Sequence, residues 1–137
     1  MLSDTDDRLT LTDIVLNDEC AVLRVAGKLD VHTEQQLLRR AGDLVDAGRH
    51  QLVLDLTALV FCDSRGLNCL LSLNWLCRRF DGQLRLAAVG HRVMEVLSLT
   101  GTRHLFHCFS TPGEAVAAVP AAQRPVWPPP DRHSASA

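Results

Sequence analysis

The sequence predicts a single α/β domain with a mixed, mostly parallel sheet of four to five strands, an antiparallel hairpin at its N-terminal end and about four covering helices. Two observations support this class. Two strand-like segments joined by a turn come first, and after them apolar strand-like runs alternate with segments that have the apolar stripe of a helix. The chain has 137 residues, of which 47% are hydrophobic and 4% aromatic, which is enough for one aliphatic core.

Composition divides the chain into three parts. Residues 1–8 are polar and acidic, and we expect them to form a flexible N-terminus. Residues 9–119 form the predicted domain. Residues 120–137 are rich in Pro, Ala and Ser and cannot bury enough apolar surface to become ordered, so they are predicted to be a disordered tail.

Charge and cysteine content argue against several classes of protein. The net charge of −2 does not favour direct binding to nucleic acid or to an acidic membrane, and no apolar run is long enough to span a bilayer. The five cysteines form no Cys-x-x-Cys pair, and the N-terminus does not resemble a signal peptide. We therefore expect a cytoplasmic protein with reduced thiols and with no metal or other cofactor.

Local patterns define the first elements. Residues 9–26 are typical of two strands joined by a turn, with an irregularity near Thr12. Thr33 and Gln36 have the spacing of a capping box, which predicts the start of a helix that stops near Gly48. The buried stripe of this helix is predicted to consist of Leu37, Ala41, Leu44 and Val45.

The segment around Ser64 is the predicted centre of the domain. Gln51–Leu56 is an apolar run typical of a buried strand, and a second apolar patch runs up to Asp63. Asp63 is a good N-cap residue, so Ser64 lies on the first turn of a helix, where free backbone N–H groups and the helix dipole favour a phosphate. Ser64 is therefore predicted to accept a phosphate without unfolding its surroundings. The buried stripe of this helix is predicted to consist of Cys69, Leu73, Leu76, Cys77 and Phe80.

The remaining elements complete the sheet. Residues 83–89 and 104–109 are predicted to be strands, residues 91–100 a short helix, and a Thr-Pro-Gly-Glu motif opens a final helix. Sites in sheets of this kind collect at the carboxyl ends of the strands. We therefore expect the loop that contains Asp30 and the loop that contains Ser64 at the same edge.

Two motifs resemble a known family. The segment Asp63-Ser64-Arg65-Gly66-Leu67 after a strand, with Gly27-Lys28-Leu29-Asp30 upstream, resembles the STAS domain of anti-sigma factor antagonists. The similarity extends over roughly residues 9 to 119 and implies a STAS-like single domain. It also implies that the unphosphorylated protein binds an anti-sigma factor, a serine kinase of the histidine-kinase-like ATPase type, and releases a sigma factor for transcription. Phosphorylation of Ser64 by that kinase would break the complex, and a PP2C-type phosphatase would reset it.

The surface around Ser64 is the predicted binding site for the anti-sigma factor. The resemblance places Asp30 next to the phosphorylation site, and Asn68, Leu71 and Trp75 continue the face of Ser64 along the helix. Two alternatives are open for Leu71 and Trp75: they widen the core contact, or they form an exposed apolar strip that docks the partner with Trp75 as its anchor. The predicted partner-binding residues are Asp30, Asp63, Arg65, Gly66, Asn68, Leu71 and Trp75.

Other interpretations compete with this function. Local sequence alone also allows Ser64 to be only part of a helix start and Asp30 only a turn carboxylate. An enzyme is not expected and no catalytic residue is assigned, because Ser64 has no Gly-x-Ser-x-Gly elbow and no histidine placed as its base. The family usually has Ser or Thr directly after the phosphorylatable serine, where this chain has Arg65. That departure motivates the alternative of a STAS scaffold or interaction domain, not phosphorylated, in a transport or stress-signalling complex.

Overall fold

The computed structural model describes residues 8–130, and in that range it shows six β-strands, four α-helices and two short 3₁₀ helices. The strands are β1 (Thr10–Leu16), β2 (Cys20–Leu29), β3 (Gln51–Asp55), β4 (Leu59–Cys62), β5 (Gln83–Ala87) and β6 (His107–Phe109). The α-helices are α1 (Glu34–Asp46), α2 (Ser64–Arg79), α3 (His91–Leu99) and α4 (Pro112–Ala117). The 3₁₀ helices are Arg103–Leu105 and Ala121–Gln123.

The strands form a mixed sheet in the order β1-β2-β3-β5-β6, and β4 pairs with β2 off this path. The β1–β2 pair is antiparallel and the other described pairs are parallel. The pairing of β1 with β2 is irregular between Asp13 and Val15, next to the predicted position. The predicted α/β class, the N-terminal antiparallel hairpin and the number of helices are confirmed.

The strand β4 raises the count above the predicted four to five strands. The first half of β2 pairs with β3, and the end of β2, from Gly27 to Leu29, pairs with β4. Gly27 lies where the partner changes and has a φ of +106°, and a Cβ there would overlap the carbonyl oxygen of Arg8, so glycine is required. The sequence shows residues 58–62 only as an apolar patch because a four-residue strand is too short to display a period of two.

Helix α1 begins after Thr33 without the predicted capping box. The Thr33 hydroxyl donates to the carbonyl oxygen of Lys28 at 2.8 Å and accepts from the backbone N–H of Asp30 at 3.0 Å, so it closes the turn after β2. The Gln36 amide donates to the carbonyl oxygen of Leu9 at 3.1 Å. The two side chains therefore tie the start of α1 to β2 and to the residue just before β1.

Two further details differ from the prediction. The last strand begins only at His107, because Arg103–Leu105 forms a 3₁₀ turn before it. Phe80 does not join the buried stripe of α2. It directly follows the last helical residue, is exposed, and stacks on the ring of His50 with the centroids 4.8 Å apart.

The two faces of the sheet are covered unequally. Helices α1, α2 and α3 pack a large aliphatic core cluster onto one face, to which Leu52 and Leu54 of β3 contribute. Helix α4 packs on the other face, where Val53 belongs to a smaller cluster. No helix within residues 8–130 is long and apolar enough to cross a bilayer.

Residues 120–130, which we name the C-terminal strap, contradict the predicted disorder in this stretch. The Gln51 amide donates to the side-chain oxygen of Gln123 at 3.0 Å, and the Asn17 amide donates to the carbonyl oxygen of Gln123 at 3.1 Å. Pro125 is buried, and Trp127 packs against the smaller core cluster. Composition misses this order because it averages over the stretch, whereas three residues make these contacts. Residues 1–7 and 131–137, which were also predicted to be flexible, lie outside the described residues.

Candidate functional site

The candidate site lies at the carboxyl ends of β2 and β4. These strands run parallel with Leu29 paired to Cys62, so the residues that follow them, Asp30 and Asp63, begin neighbouring loops. The backbone N–H of Asp63 also donates to the carbonyl oxygen of Leu29 at 3.3 Å. The structure thus brings the Asp30 loop and the start of α2 together at one edge of the sheet.

Ser64 is the first residue of α2 and is exposed. Asp63 is the N-cap, and its carboxylate oxygen Oδ1 accepts from the backbone N–H groups of Arg65 and Gly66, each at 3.0 Å. The cap satisfies two of the free donors at the helix start and leaves the Ser64 hydroxyl facing solvent. A phosphate on Ser64 would therefore enter neither the core nor the hydrogen bonds that hold the helix start.

The Arg65 side chain reaches across to α1. Its guanidinium donates to the Glu34 carboxylate through two nitrogens, Nη2 to Oε1 at 2.5 Å and Nε to Oε2 at 3.4 Å. The hydrogen bond to Glu34 and the charge of Glu34 raise the pKa of the Arg65 guanidinium. Sequence spacing gives no sign of this pair, because its members lie 31 positions apart. The predicted partner residue Arg65 therefore has a structural partner within the domain.

Gly66 has a packing role that the sequence analysis did not assign to it. It is buried, and a Cβ there would overlap the carbonyl oxygen of Leu29 and come within 2.9 Å of the Cys62 sulfur. The first turn of α2 is thus pressed against the end of β2. Only the small size of glycine allows this approach.

Asp30 forms a turn with its own side chain. Its Oδ1 accepts from the backbone N–H of His32 at 2.9 Å, and its carbonyl oxygen accepts from the backbone N–H groups of Thr33 and Glu34. The residue is half-buried. The turn fixes the direction of the carboxylate, and part of the residue remains accessible beside the start of α2.

Farther along α2, Asn68, Leu71 and Trp75 line a shallow groove with Leu38 of α1. Trp75 is 60% exposed, and the Arg79 guanidinium lies 5.2 Å from the centroid of its ring. Leu71 is partly buried against the large core cluster. The sequence left two alternatives open for these residues. Trp75 is exposed and is free to contact a partner, whereas Leu71 mainly widens the contact of α2 with the core.

Sequence reasoning did not select three exposed apolar side chains near this edge, Val31, Val60 and Phe61. Val31 directly follows Asp30, and the other two lie in the middle of β4. Recognising β4 as a strand would have directed attention to Val60 and Phe61, because exposed apolar residues on a strand beside a candidate site are unusual.

The thiol closest in sequence to Ser64, that of Cys62, is protonated and unreactive at neutral pH. Burial raises the pKa of Cys62 to about 12, and the charge of Asp63 adds to the effect. The pKa of Cys69, five residues after Ser64 on α2, is raised to about 12, mainly by burial. Within residues 8–130, no three His, Cys, Asp or Glu side chains are grouped so that they could hold a metal ion. These groups offer neither a nucleophile at neutral pH nor a metal centre.

Residues 12–115 match the family model of the STAS domain. A curated relative, the anti-sigma-B factor antagonist of Staphylococcus epidermidis, is 24% identical over 95 residues, which cover 69% of this chain and 88% of that protein. The family match over residues 12–115 includes both loops of the candidate site.

Solved structures share the same fold. An anti-sigma factor antagonist from Mycobacterium paratuberculosis superposes with a TM-score of 0.70 at 27% identity, covering 82% of this chain and 95% of that one. The Bacillus cell fate determinant SpoIIAA, in its phosphorylated form, superposes with a TM-score of 0.62 at 20% identity and covers 80% of this chain and 96% of that one. At that identity the second similarity concerns the fold alone.

Proposed function

Because this chain belongs to the STAS domain family, we propose that it is an anti-sigma factor antagonist whose unphosphorylated form binds an anti-sigma factor and so releases a sigma factor. Phosphorylation of Ser64 switches the binding off. The observation that supports this proposal best is the exposed Ser64 hydroxyl on the first turn of α2, beside the Asp30 loop. The relative from Staphylococcus epidermidis has the same function in its name.

The proposed partner is a serine kinase of the histidine-kinase-like ATPase type, with a PP2C-type phosphatase that restores the hydroxyl. Both identities come from the family resemblance. The proposal places the chain in the cytoplasm, where a sigma factor meets RNA polymerase. The chain acts by binding and not by catalysis.

The proposed binding surface combines Asp30, Ser64, Asn68 and Trp75 with the exposed part of Leu71, which lines the same groove while packing on the core. Trp75 supplies a large exposed anchor, and aromatic anchors dominate many protein interfaces. Asp63, Arg65 and Gly66 contribute mainly by holding the helix start in place, since each has a contact inside the domain.

Electrostatics explain how one phosphate could break the complex. Phosphorylation adds about −1.5 to −2 charges at neutral pH. A carboxylate ~6 Å away at an effective dielectric of ~20 would be repelled by about 4 to 5 kcal/mol before screening. If screening leaves about 2 to 3 kcal/mol, the affinity falls by roughly 30- to 150-fold. Within the domain, the helix dipole favours the phosphate by about 0.3 to 2 kcal/mol, so the charge of the phosphate penalises the interface far more than the fold.

Two substitutions test the switch. Ser64→Ala should retain binding to the cognate anti-sigma factor, and Ser64→Asp should weaken it at least about tenfold, as measured by isothermal titration calorimetry. Ser98→Asp is the matched control, because Ser98 is an exposed serine on a different helix, α3. Equal binding by Ser64→Ala and Ser64→Asp would reject the proposal.

Arg65 supports a second candidate function. In it, the chain is a STAS scaffold domain of a transport or stress-signalling complex and is not phosphorylated. The Arg65 side chain lies across the gap between α2 and α1, where a kinase that expects Ser or Thr would meet a bulky cation. Incubation with the cognate kinase and ATP, followed by intact mass measurement, separates the two functions. A gain of one phosphate, lost in Ser64→Ala, supports the switch, and no gain supports the scaffold.

A further inference from the structure

The carboxylate of Glu34 is buried, and its counter-charge is the guanidinium of Arg65, the residue directly after Ser64. The Glu34 side chain is 9% exposed and the Arg65 side chain 56% exposed. A carboxylate in such a position depends on its ion pair, because a buried charge without a partner is strongly destabilising. The guanidinium, by contrast, is largely in solvent and can turn on its flexible stem.

We propose that Arg65 and Glu34 form a relay that carries the phosphorylation state of Ser64 to the turn at Asp30. A phosphate on Ser64 draws the Arg65 guanidinium away from Glu34 and leaves that carboxylate buried without its counter-charge. This inference builds on the proposed function, since it concerns how phosphorylation of Ser64 changes the structure of the turn at Asp30.

A phosphate is a stronger competitor for Arg65 than Glu34 is. It carries close to two negative charges and three acceptor oxygens, against one charge and two oxygens for the carboxylate. Guanidinium and phosphate form bidentate hydrogen bonds. Ser64 and Arg65 project about 100° apart around the first turn of α2, and the long, largely exposed side chain of Arg65 has to turn through that angle to meet a phosphate on Ser64.

Loss of the Arg65–Glu34 ion pair would weaken the hydrogen bonds of the turn at Asp30. Glu34 is the first residue of α1, and its backbone N–H donates to the carbonyl oxygen of Asp30 at 2.9 Å. The N–H of Thr33 donates to the same oxygen at 3.2 Å. If Glu34 shifts toward water, these two hydrogen bonds loosen and the Asp30 carboxylate loses its fixed direction. Phosphorylation would then alter a second part of the proposed binding surface besides adding its own charge.

The test uses the full chain with phosphoserine placed at position 64 by codon reassignment, so that no kinase is needed. Phosphorus NMR then gives the second pKa of the phosphate, which is about 6 without a neighbouring charge. We expect a lower pKa in the otherwise unchanged chain than in Arg65→Ala, by about one unit, because a nearby cation favours the dianion. Arg79→Ala is the control: this arginine lies at the far end of α2 and should leave the pKa unchanged.

Glu34→Gln completes the measurement, because it frees Arg65 without leaving a buried charge. The phosphate pKa should fall further in Glu34→Gln than in the unchanged chain. The double variant Arg65→Ala and Glu34→Gln should lose most of that fall, which separates the relay from the direct effect of the Glu34 charge. The double variant also removes both charges of the pair, so it remains informative if Arg65→Ala alone does not fold.

Hydrogen exchange supplies the second readout. Phosphorylation should speed exchange of the Thr33 and Glu34 amides when Arg65 is present, and should not speed it further in Arg65→Ala, where the pair is already absent. Equal phosphate pKa values in the unchanged chain and in Arg65→Ala would overturn the relay, as would an equally large shift in Arg79→Ala. Failure of a kinase to modify Ser64 would count against the proposed function and leave the relay intact.

Discussion

Asp63 determines where α2 begins and therefore where the Ser64 hydroxyl lies. Its carboxylate accepts two backbone hydrogen bonds from the first turn, and its own N–H donates to the end of β2. One side chain thus fixes both the start of the helix and its position on the sheet. The exposure of Ser64 depends on this cap, because a frayed first turn would no longer present the hydroxyl in one place.

Replacing Asp63 with Ala should lower the free energy of unfolding by about 0.5 to 2 kcal/mol, since two N–H groups lose their acceptor. Urea denaturation measures the change. Asp63→Asn is the matched control, because asparagine caps helices about as well as aspartate, and it should retain most of the stability. A stability of Asp63→Ala equal to that of the unchanged chain would show that the cap is not needed.

The sequence predicts the positions of Asp63 and Ser64 at the start of α2, because helix capping is a local rule that involves residues two and three positions apart. It does not predict the partner of Arg65, since Glu34 lies 31 positions away and ion pairs have no sequence period. The same limit applies to Gly66. Nothing in its neighbours shows that the carbonyl oxygen of Leu29 lies against it.

At the candidate site, the first turn of α2 packs directly onto the end of β2. Gly66 makes it possible, and adding a Cβ would force the helix start away from Leu29 and Cys62. The loops that carry Asp30 and Ser64 would then separate. Close packing at this one turn therefore holds the two halves of the site together.

Gly66→Ala should destabilise the domain by about 1 to 3 kcal/mol, because the backbone has no room for the methyl group. Gly42→Ala is its matched control within α1: a Cβ there meets nothing within 4 Å, so the change should stabilise by about 0.5 to 1 kcal/mol. Thermal unfolding of both variants gives the comparison. Destabilisation by both, or by neither, would contradict the packing difference.

Long elements with a clear period were predictable, and short ones were not. The helix α2 has sixteen residues and an N-cap signal, so its start was predicted correctly. The strand β4 has four residues, and its pairing with β2 depends on a change of partner at Gly27 that no local pattern shows. The C-terminal strap was missed for a related reason, because composition averages over a stretch in which a few side chains supply the contacts.

The C-terminal strap covers part of the second face of the sheet. Helix α4 has only six residues, and Pro125 and Trp127 extend the apolar contact beyond it. A chain that ends at Val119 should therefore lose about 2 to 3 kcal/mol of stability, roughly the contribution of one buried large side chain. A chain that ends at Pro130 is the control and keeps every described contact. Equal unfolding midpoints for the two chains would show that the strap adds nothing.

The alkaline limit of stability should be set by buried thiols. Burial raises the pKa of Cys20 to about 11 and that of Cys62, Cys69 and Cys77 to about 12, from an ordinary value near 9. The folded state therefore holds these protons more tightly than the unfolded state, so stability is complete below pH 9 and falls as the pH rises toward 12. At pH 10 each thiol should cost the fold about 1 kcal/mol. The chain has no tyrosine and a single lysine, so few other groups titrate in this window.

Urea denaturation at pH 8, 9 and 10 under reducing conditions measures this slope. Cys77→Ala should be less stable at pH 8, because it leaves a small cavity, yet its stability should fall less steeply between pH 9 and 10. Cys108→Ala is the control: Cys108 is only half-buried, so its removal should change the slope less. A slope that is unchanged in Cys77→Ala would mean that other groups limit the fold at high pH.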